Sequence, residues 1–117
     1  MAAMIYRASY LTNEFNMYIY NVTIKIDWLI HERWLAWMRE VEIPRMLGFP
    51  YFESHELVRL LETEEIDGPT YAIQYRTDTI ENYKSYVTVQ MAVDSAASYA
   101  LWGQRCVFFM TLMEVVN

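Results

Sequence analysis

The 117-residue sequence predicts one α+β domain in which strands and helices follow the order βαββαβ. Three observations carry that expectation. A period-two run, Met17 to Ile26, leads straight into a helix-period stripe of aromatic residues. Two further alternating runs flank Asp67-Gly68. A long helical stretch beginning near Asp78 then ends at Gly103, before a last strand that is apolar on both faces.

Taken in order, the first strand places Tyr18, Tyr20, Val22, Ile24 and Ile26 on one face and Met17, Ile19, Asn21, Thr23 and Lys25 on the other. Asp27 is the expected cap of the first helix, because its carboxylate accepts from a free amide of the first turn. Ile30, Trp34, Trp37, Met38 and Val41 recur at helical spacing, so that stripe must be buried. Ile43 before Pro44 is biased away from the helical region, which predicts a kink and then a short extra helix ended by Gly48.

The run Tyr51 to Glu62 and the run carrying Tyr71, Ile73 and Tyr75 read as a hairpin around Asp67-Gly68. A two-residue turn sets Arg59 opposite Arg76, and a turn one residue longer sets it opposite Thr77. The longer turn is preferred because like charges repel across a ladder. Asp78 with Glu81 three residues on has the form of a helix start, and that helix should run to about Trp102. Its β-branched middle, Val87 to Val93, leaves continuity open, with a break placed near Thr88 to Gln90. Gln104 to Val116 forms the last strand.

With right-handed crossovers this order builds the ferredoxin-like βαββαβ plait, a four-stranded antiparallel sheet with two helices on one face. The first and last strands are apolar on both faces, so the uncovered sheet face needs a partner. A second copy packed on it gives a two-fold homodimer, the dimeric α+β barrel. Residues 1–16 show no sustained period and no export signal, and are expected to be a poorly ordered N-terminal extension; 17–117 form the ferredoxin-like domain.

Composition narrows the function classes. Hydrophobic residues make up 55% and aromatics 16%, yet no apolar run reaches the ~18 residues of a membrane span. A net charge of −6 opposes nucleic acid and anionic membrane as partners. The single Cys106 excludes an intrachain disulfide and fits a cytoplasmic location. Two distant histidines and one cysteine make no metal constellation, and no phosphate loop or nucleophile motif is present, so no metal, cofactor or catalytic residue is assigned.

Tyr20-Asn-Val-Thr, Ile30-His-x-x-Trp34-Leu-x-Trp37-Met, Ile43-Pro44, Thr70-Tyr-x-Ile-Gln-Tyr75 and Thr111-Leu-Met-Glu-Val-Val resemble a family of short bacterial proteins of unknown function. The resemblance spans about Met17 to Val116 and implies the dimeric α+β barrel with no assigned activity. This chain departs from the family in carrying Glu42 where a histidine often precedes the Ile-Pro pair. It departs again in the apolar stretch Val87 to Val93, where the family tends to be charged.

Candidate site residues are few. His31 and Glu42 share one edge of the first helix, but eleven residues at 1.5 Å of rise set them ~16 Å apart, too far for proton exchange. Both read as solvated. His55 shares a strand face with Glu53 and Arg59, which fits an anion site and equally fits the polar side of an edge strand. Tyr20, Trp34, Trp37, Tyr71, Tyr75 and Phe108 are the candidate ligand-facing set, because an apolar pocket with tyrosine handles is a common ligand site. The same residues fit ordinary core packing.

Two functions follow. The first is a homodimeric structural or small-ligand-binding protein, whose partner is a second copy of itself and whose ligand, if any, is small and apolar. The alternative is an enzyme acting on a small aromatic or apolar substrate. It rests on the fold-level analogy to cofactor-free monooxygenases and isomerases that share the barrel. A third, RNA recognition, shares the strand order but lacks the basic charge and the aromatic motif that RNA binding uses.

Overall fold

The computed structural model describes residues 16–117, so all of the expected extension but Asn16 lies outside the described residues. The elements are β1 (Tyr18–Ile26), α1 (His31–Trp37), a π-helical turn (Met38–Glu42), α2 (Ile43–Gly48), β2 (Ser54–Arg59), β3 (Thr70–Thr77), α3 (Ile80–Val89), α4 (Met91–Trp102) and β4 (Cys106–Glu114). The strands form one sheet in the order β2-β3-β1-β4, with every neighbouring pair antiparallel. This is the expected plait.

One sheet face builds the core. Tyr20, Ile24 and Ile26 of β1 with Tyr71, Ile73 and Tyr75 of β3 pack against Ile30, Trp34, Met38, Ile43, Met46 and Tyr86 of the helices. Trp34 is 1% exposed and anchors the layer, as its place in the helical stripe requires. On β4 the register sets Phe108 beside Ile24, Met110 beside Val22 and Leu112 beside Tyr20 on this same face. Thr23 pairs with Phe109 and Lys25 with Val107 on the other face.

The hairpin expectation needs correction. Arg59 lies opposite Tyr71, not Arg76 or Thr77, and Leu60 to Pro69 form a long connection instead of a tight turn at Asp67-Gly68. The connection folds back onto the end of β1, where the Ile26 amide donates to the Pro69 carbonyl at 2.9 Å and the Trp28 amide to the Asp67 carbonyl at 3.1 Å. A Cβ on residue 68 would overlap the Ile26 carbonyl oxygen, so glycine is required there by close approach of two backbones. The Asp-Gly signal is a packing signal.

Both helix starts shift, the first by three residues and the second by one. Asp27 does not cap α1. Its Oδ1 accepts from the Leu29 amide at 2.8 Å and its Oδ2 from Arg105 Nη1 at 3.1 Å, shaping the turn before the helix. At the second start Thr79, not Asp78, is the cap, with Oγ1 accepting from the Asn82 amide at 3.2 Å. The long second helix is interrupted at Gln90, whose φ is stretched to −118° between α3 and α4. That is within the stretch where β-branched residues weaken the helix.

No kink is made at Ile43, which stays helical with φ −63° and ψ −48°. A wider turn replaces it: the Ile43 amide donates to the Met38 carbonyl, one residue further back than in an α-helix. Pro44 brings no amide and crowds the preceding turn, and the wide turn accommodates both. The extra residue rotates the stripe. Val41, expected inside, is exposed, while Ile43 and Met46 are buried and Glu42 turns inward.

Candidate functional site

Between the core face of the sheet and the helices lies a cavity of about 70 Å³. Its apolar walls include Val22 and Ile24 of β1, Ile73 of β3, Trp34, Trp37 and Met38 from the first helix, and Phe108 and Met110 of β4. Phe108 and Met110 are also partly open to solvent, so the β4 side is the mouth. Polar groups enter from Tyr20, Tyr75, Tyr86, Glu42, Asp94, Ser95 and Ser98. Room for several waters or one small organic molecule is thus lined as ligand sites usually are, apolar with a few polar handles.

The polar handles converge on Arg45. Its Nη1 lies 2.9 Å from Asp94 Oδ1, and its Nε donates to Glu42 Oε1 at 3.0 Å. Asp94 also accepts from Tyr86 at 3.2 Å and from Gln90 Nε2 at 3.0 Å. Burial of a carboxylate is tolerated only with such partners. The Glu42 side chain is 13% exposed, and burial raises its pKa above the usual carboxylate range, although the Arg45 hydrogen bond pulls the other way. Burial works against the Arg45 charge too, but its bonds to Asp94 and Glu42 outweigh that and raise its pKa.

The tyrosines respond in one direction. Burial pushes Tyr20 up to about 12, and Tyr75 and Tyr86 higher still, so all three stay protonated donors at neutral pH. Tyr20 donates to Met110 Sδ at 2.8 Å, and its ring lies 5.2 Å from that of Tyr86. Cys106, also in the lining, has its thiol pushed up to about 11 by burial, which suppresses its nucleophilicity.

Five of the six residues singled out from sequence, Tyr20, Trp34, Trp37, Tyr75 and Phe108, line this cavity. Tyr71 does not; it stacks on His31 at 5.6 Å and meets Trp34 at a tilt at 5.4 Å. His31 is half-buried, not solvated, with Nε2 2.8 Å from the Tyr71 hydroxyl and a pKa lowered by burial and then by Arg59. Glu42 is likewise not solvated, because the wide turn aims it at the cavity. His31 and Glu42 stand in separate environments, as helix length requires. The anion-site alternative at His55 fails: Arg59 Nη2 holds Glu65 at 3.0 Å, and His55 and Glu53 are exposed.

Sequence reasoning missed Asp94, Arg45, Tyr86 and the serines. One signal was available, since Asp94 is the only charge in Met91 to Trp102 and a lone charge in such a helix marks a partnered interior position. Among the described residues no group of His, Cys, Asp and Glu is placed to hold a metal ion, and no helix is long and apolar enough to cross a membrane.

Solved structures share the architecture. A dimeric ferredoxin-like protein from an uncultured marine organism superposes with a TM-score of 0.62 at 8% identity, covering 87% of this chain and 96% of that one. An ethyl tert-butyl ether D (EthD) family protein from Bacillus halodurans C-125 gives 0.57 at 10% identity, covering 86% and 98%. An EthD-like protein from Ralstonia eutropha JMP134 gives 0.57 at 12% identity, covering 85% and 93%. These likenesses show the fold alone. No curated protein matches the chain in sequence. Residues 17–116 match a family described as a domain of unknown function, DUF4286, and the chain belongs to that family.

Proposed function

We propose that this member of a family of unknown function is a homodimeric small-ligand-binding protein, working in the cytoplasm with no polyanion partner. One observation carries the reading: an apolar cavity that opens beside β4 and holds an inward-facing carboxylate, Glu42, backed by Arg45. A filled interior would contain neither the space nor the cost of the buried charge. Dimerisation is supported by β4, where Val107 and Phe109 are 65% and 63% exposed on the uncovered sheet face, and by the dimeric state named for one structural neighbour. A net charge of −6 argues against nucleic acid, and a lone cysteine with a suppressed thiol fits a reducing compartment.

Nuclear magnetic resonance titration with 1-propanol, read on the indole signals of Trp34 and Trp37, tests the cavity. Saturable shifts are expected, and signals left unchanged up to high millimolar concentration by propanol and by its amine and carboxylate analogues alike would rule the ligand reading out. Light scattering tests the assembly, with a particle about twice the 14.0 kDa chain expected.

A further inference from the structure

Resting on the cavity reading above, we propose that the ligand is a short aliphatic amine, bound as its ammonium cation with Glu42 as counter-ion. The accounting of acceptors leads there. Both oxygens of Asp94 are engaged, Oδ1 by Arg45 and Gln90 and Oδ2 by Tyr86. Glu42 Oε1 is engaged by the Nε and Nη2 of Arg45. Among the described residues, Glu42 Oε2 has no hydrogen-bond partner, and Glu42 lines the cavity. This carboxylate oxygen is free to accept from a ligand.

Charge points the same way. Two carboxylates, Glu42 and Asp94, share a single guanidinium, which leaves the polar end of the cavity with one negative charge in excess. An organic anion entering there meets repulsion in a partly desolvated site. A neutral alcohol would satisfy the free oxygen without balancing its charge. An ammonium does both, through a charge-assisted bond. The rings of Tyr20, Trp34, Tyr75 and Tyr86 belong to the same lining, and an aromatic face turned to a bound cation favours it where it would disfavour an anion.

Size selects the rest of the molecule. The cavity measures about 70 Å³, whereas an engineered protein cavity that takes benzene is roughly 150 Å³. An enclosed aromatic ring is therefore too large. A short alkyl chain fits between Val22, Ile24, Met38 and Met110, with any longer tail leaving beside Phe108.

The test is a matched set of n-propylamine, 1-propanol and propanoate, titrated near neutral pH and followed through the Trp34 and Trp37 indole signals and by calorimetry. Propylamine is expected to bind about tenfold more tightly than propanol, the gain typical of a charged over a neutral hydrogen bond. Propanoate is expected not to bind. Glu42→Gln should bring amine and alcohol to the same affinity while propanol binding persists. A measurement on the unaltered chain gives an independent check if that variant folds poorly. The groups facing Glu42 are Arg45 of α2, Asp94 of α4, Tyr86 of α3, and Tyr20 and Tyr75 of the sheet. Of these, Glu42 is the group whose protonation removes the counter-ion charge. The amine preference should therefore vanish as pH falls through the Glu42 titration and return as it rises.

Equal affinities for propylamine and propanol would overturn the amine proposal and leave the cavity reading standing. So would propanoate binding as tightly as the amine, or an amine preference that survives Glu42→Gln. Failure of all three probes would overturn both.

Discussion

Asp94 shows how much one residue holds in this molecule. Its carboxylate joins α2 through Arg45, α3 through Tyr86 and the α3–α4 break through Gln90. Asp94→Ala leaves three donors short of an acceptor, and breaking a buried pair costs several kcal/mol. Arg45 stays about one-third exposed and regains water, so a loss of about 2 kcal/mol is expected in urea unfolding, with Asp94→Asn losing less than half as much. A loss within error for Asp94→Ala would mean the cluster is loose. The tyrosines predict the alkaline limb. In the unfolded chain tyrosine ionises near 10, whereas folded Tyr20 holds its proton to about 12. The folded form thus binds more protons between those values, so stability is full below about pH 10 and falls as pH rises towards 12. Two pH units correspond to about 3 kcal/mol, and Tyr75 and Tyr86 add in the same direction. Denaturant midpoints against pH, with tyrosinate absorbance recorded alongside, check both size and sign.

At the scale of elements, the sequence was legible wherever a period decided the outcome. Tyr20 to Ile26, the Trp34 stripe and the apolar β4 follow from alternation and helical spacing alone. Termini and turns were less legible because several polar residues compete for the same role. Asp78 and Thr79 both suit a cap, and only the backbone decides: Thr79 has the extended conformation that a cap adopts, with φ −132° and ψ 141°. Thr79→Ala should cost about 1 kcal/mol and Asp78→Ala much less, measured as a pair by thermal unfolding. A larger loss for Asp78→Ala would return the cap to Asp78. The β2–β3 register escaped reading because Asp67-Gly68 matches a hairpin turn locally, whereas the glycine answers to Ile26, a residue far away in sequence. Five cavity aromatics were legible by their spacing; Glu42 was not, because a straight α-helix would have left it at the solvated edge of the buried stripe.

For the whole molecule, β4 is the strand that decides assembly. As a sheet-edge strand it has one hydrogen-bonded neighbour, β1, and exposes apolar side chains on both faces. A monomer with such an edge is prone to association. Phe109 projects from the uncovered face opposite Thr23, away from the cavity. Phe109→Glu should therefore convert the proposed dimer to a monomer in light scattering while changing the unfolding of the single domain little, because Phe109 is already exposed within one chain. A dimer that survives this charge would place the contact elsewhere, with the exposed Val93, Tyr99 and Leu101 of α4 as the next surface to alter.

The wide turn at Met38–Glu42 has a further consequence for how such a chain changes over time. It acts as a one-residue phase shift written into a helix, so the identity of the side chain that looks into the cavity depends on chain length as well as on residue type. Gain or loss of a single codon there would exchange Glu42 for a neighbour while leaving the β-ladder pairings untouched. A length change invisible to any tally of substitutions is then the smallest step by which relatives of this fold could trade one ligand chemistry for another.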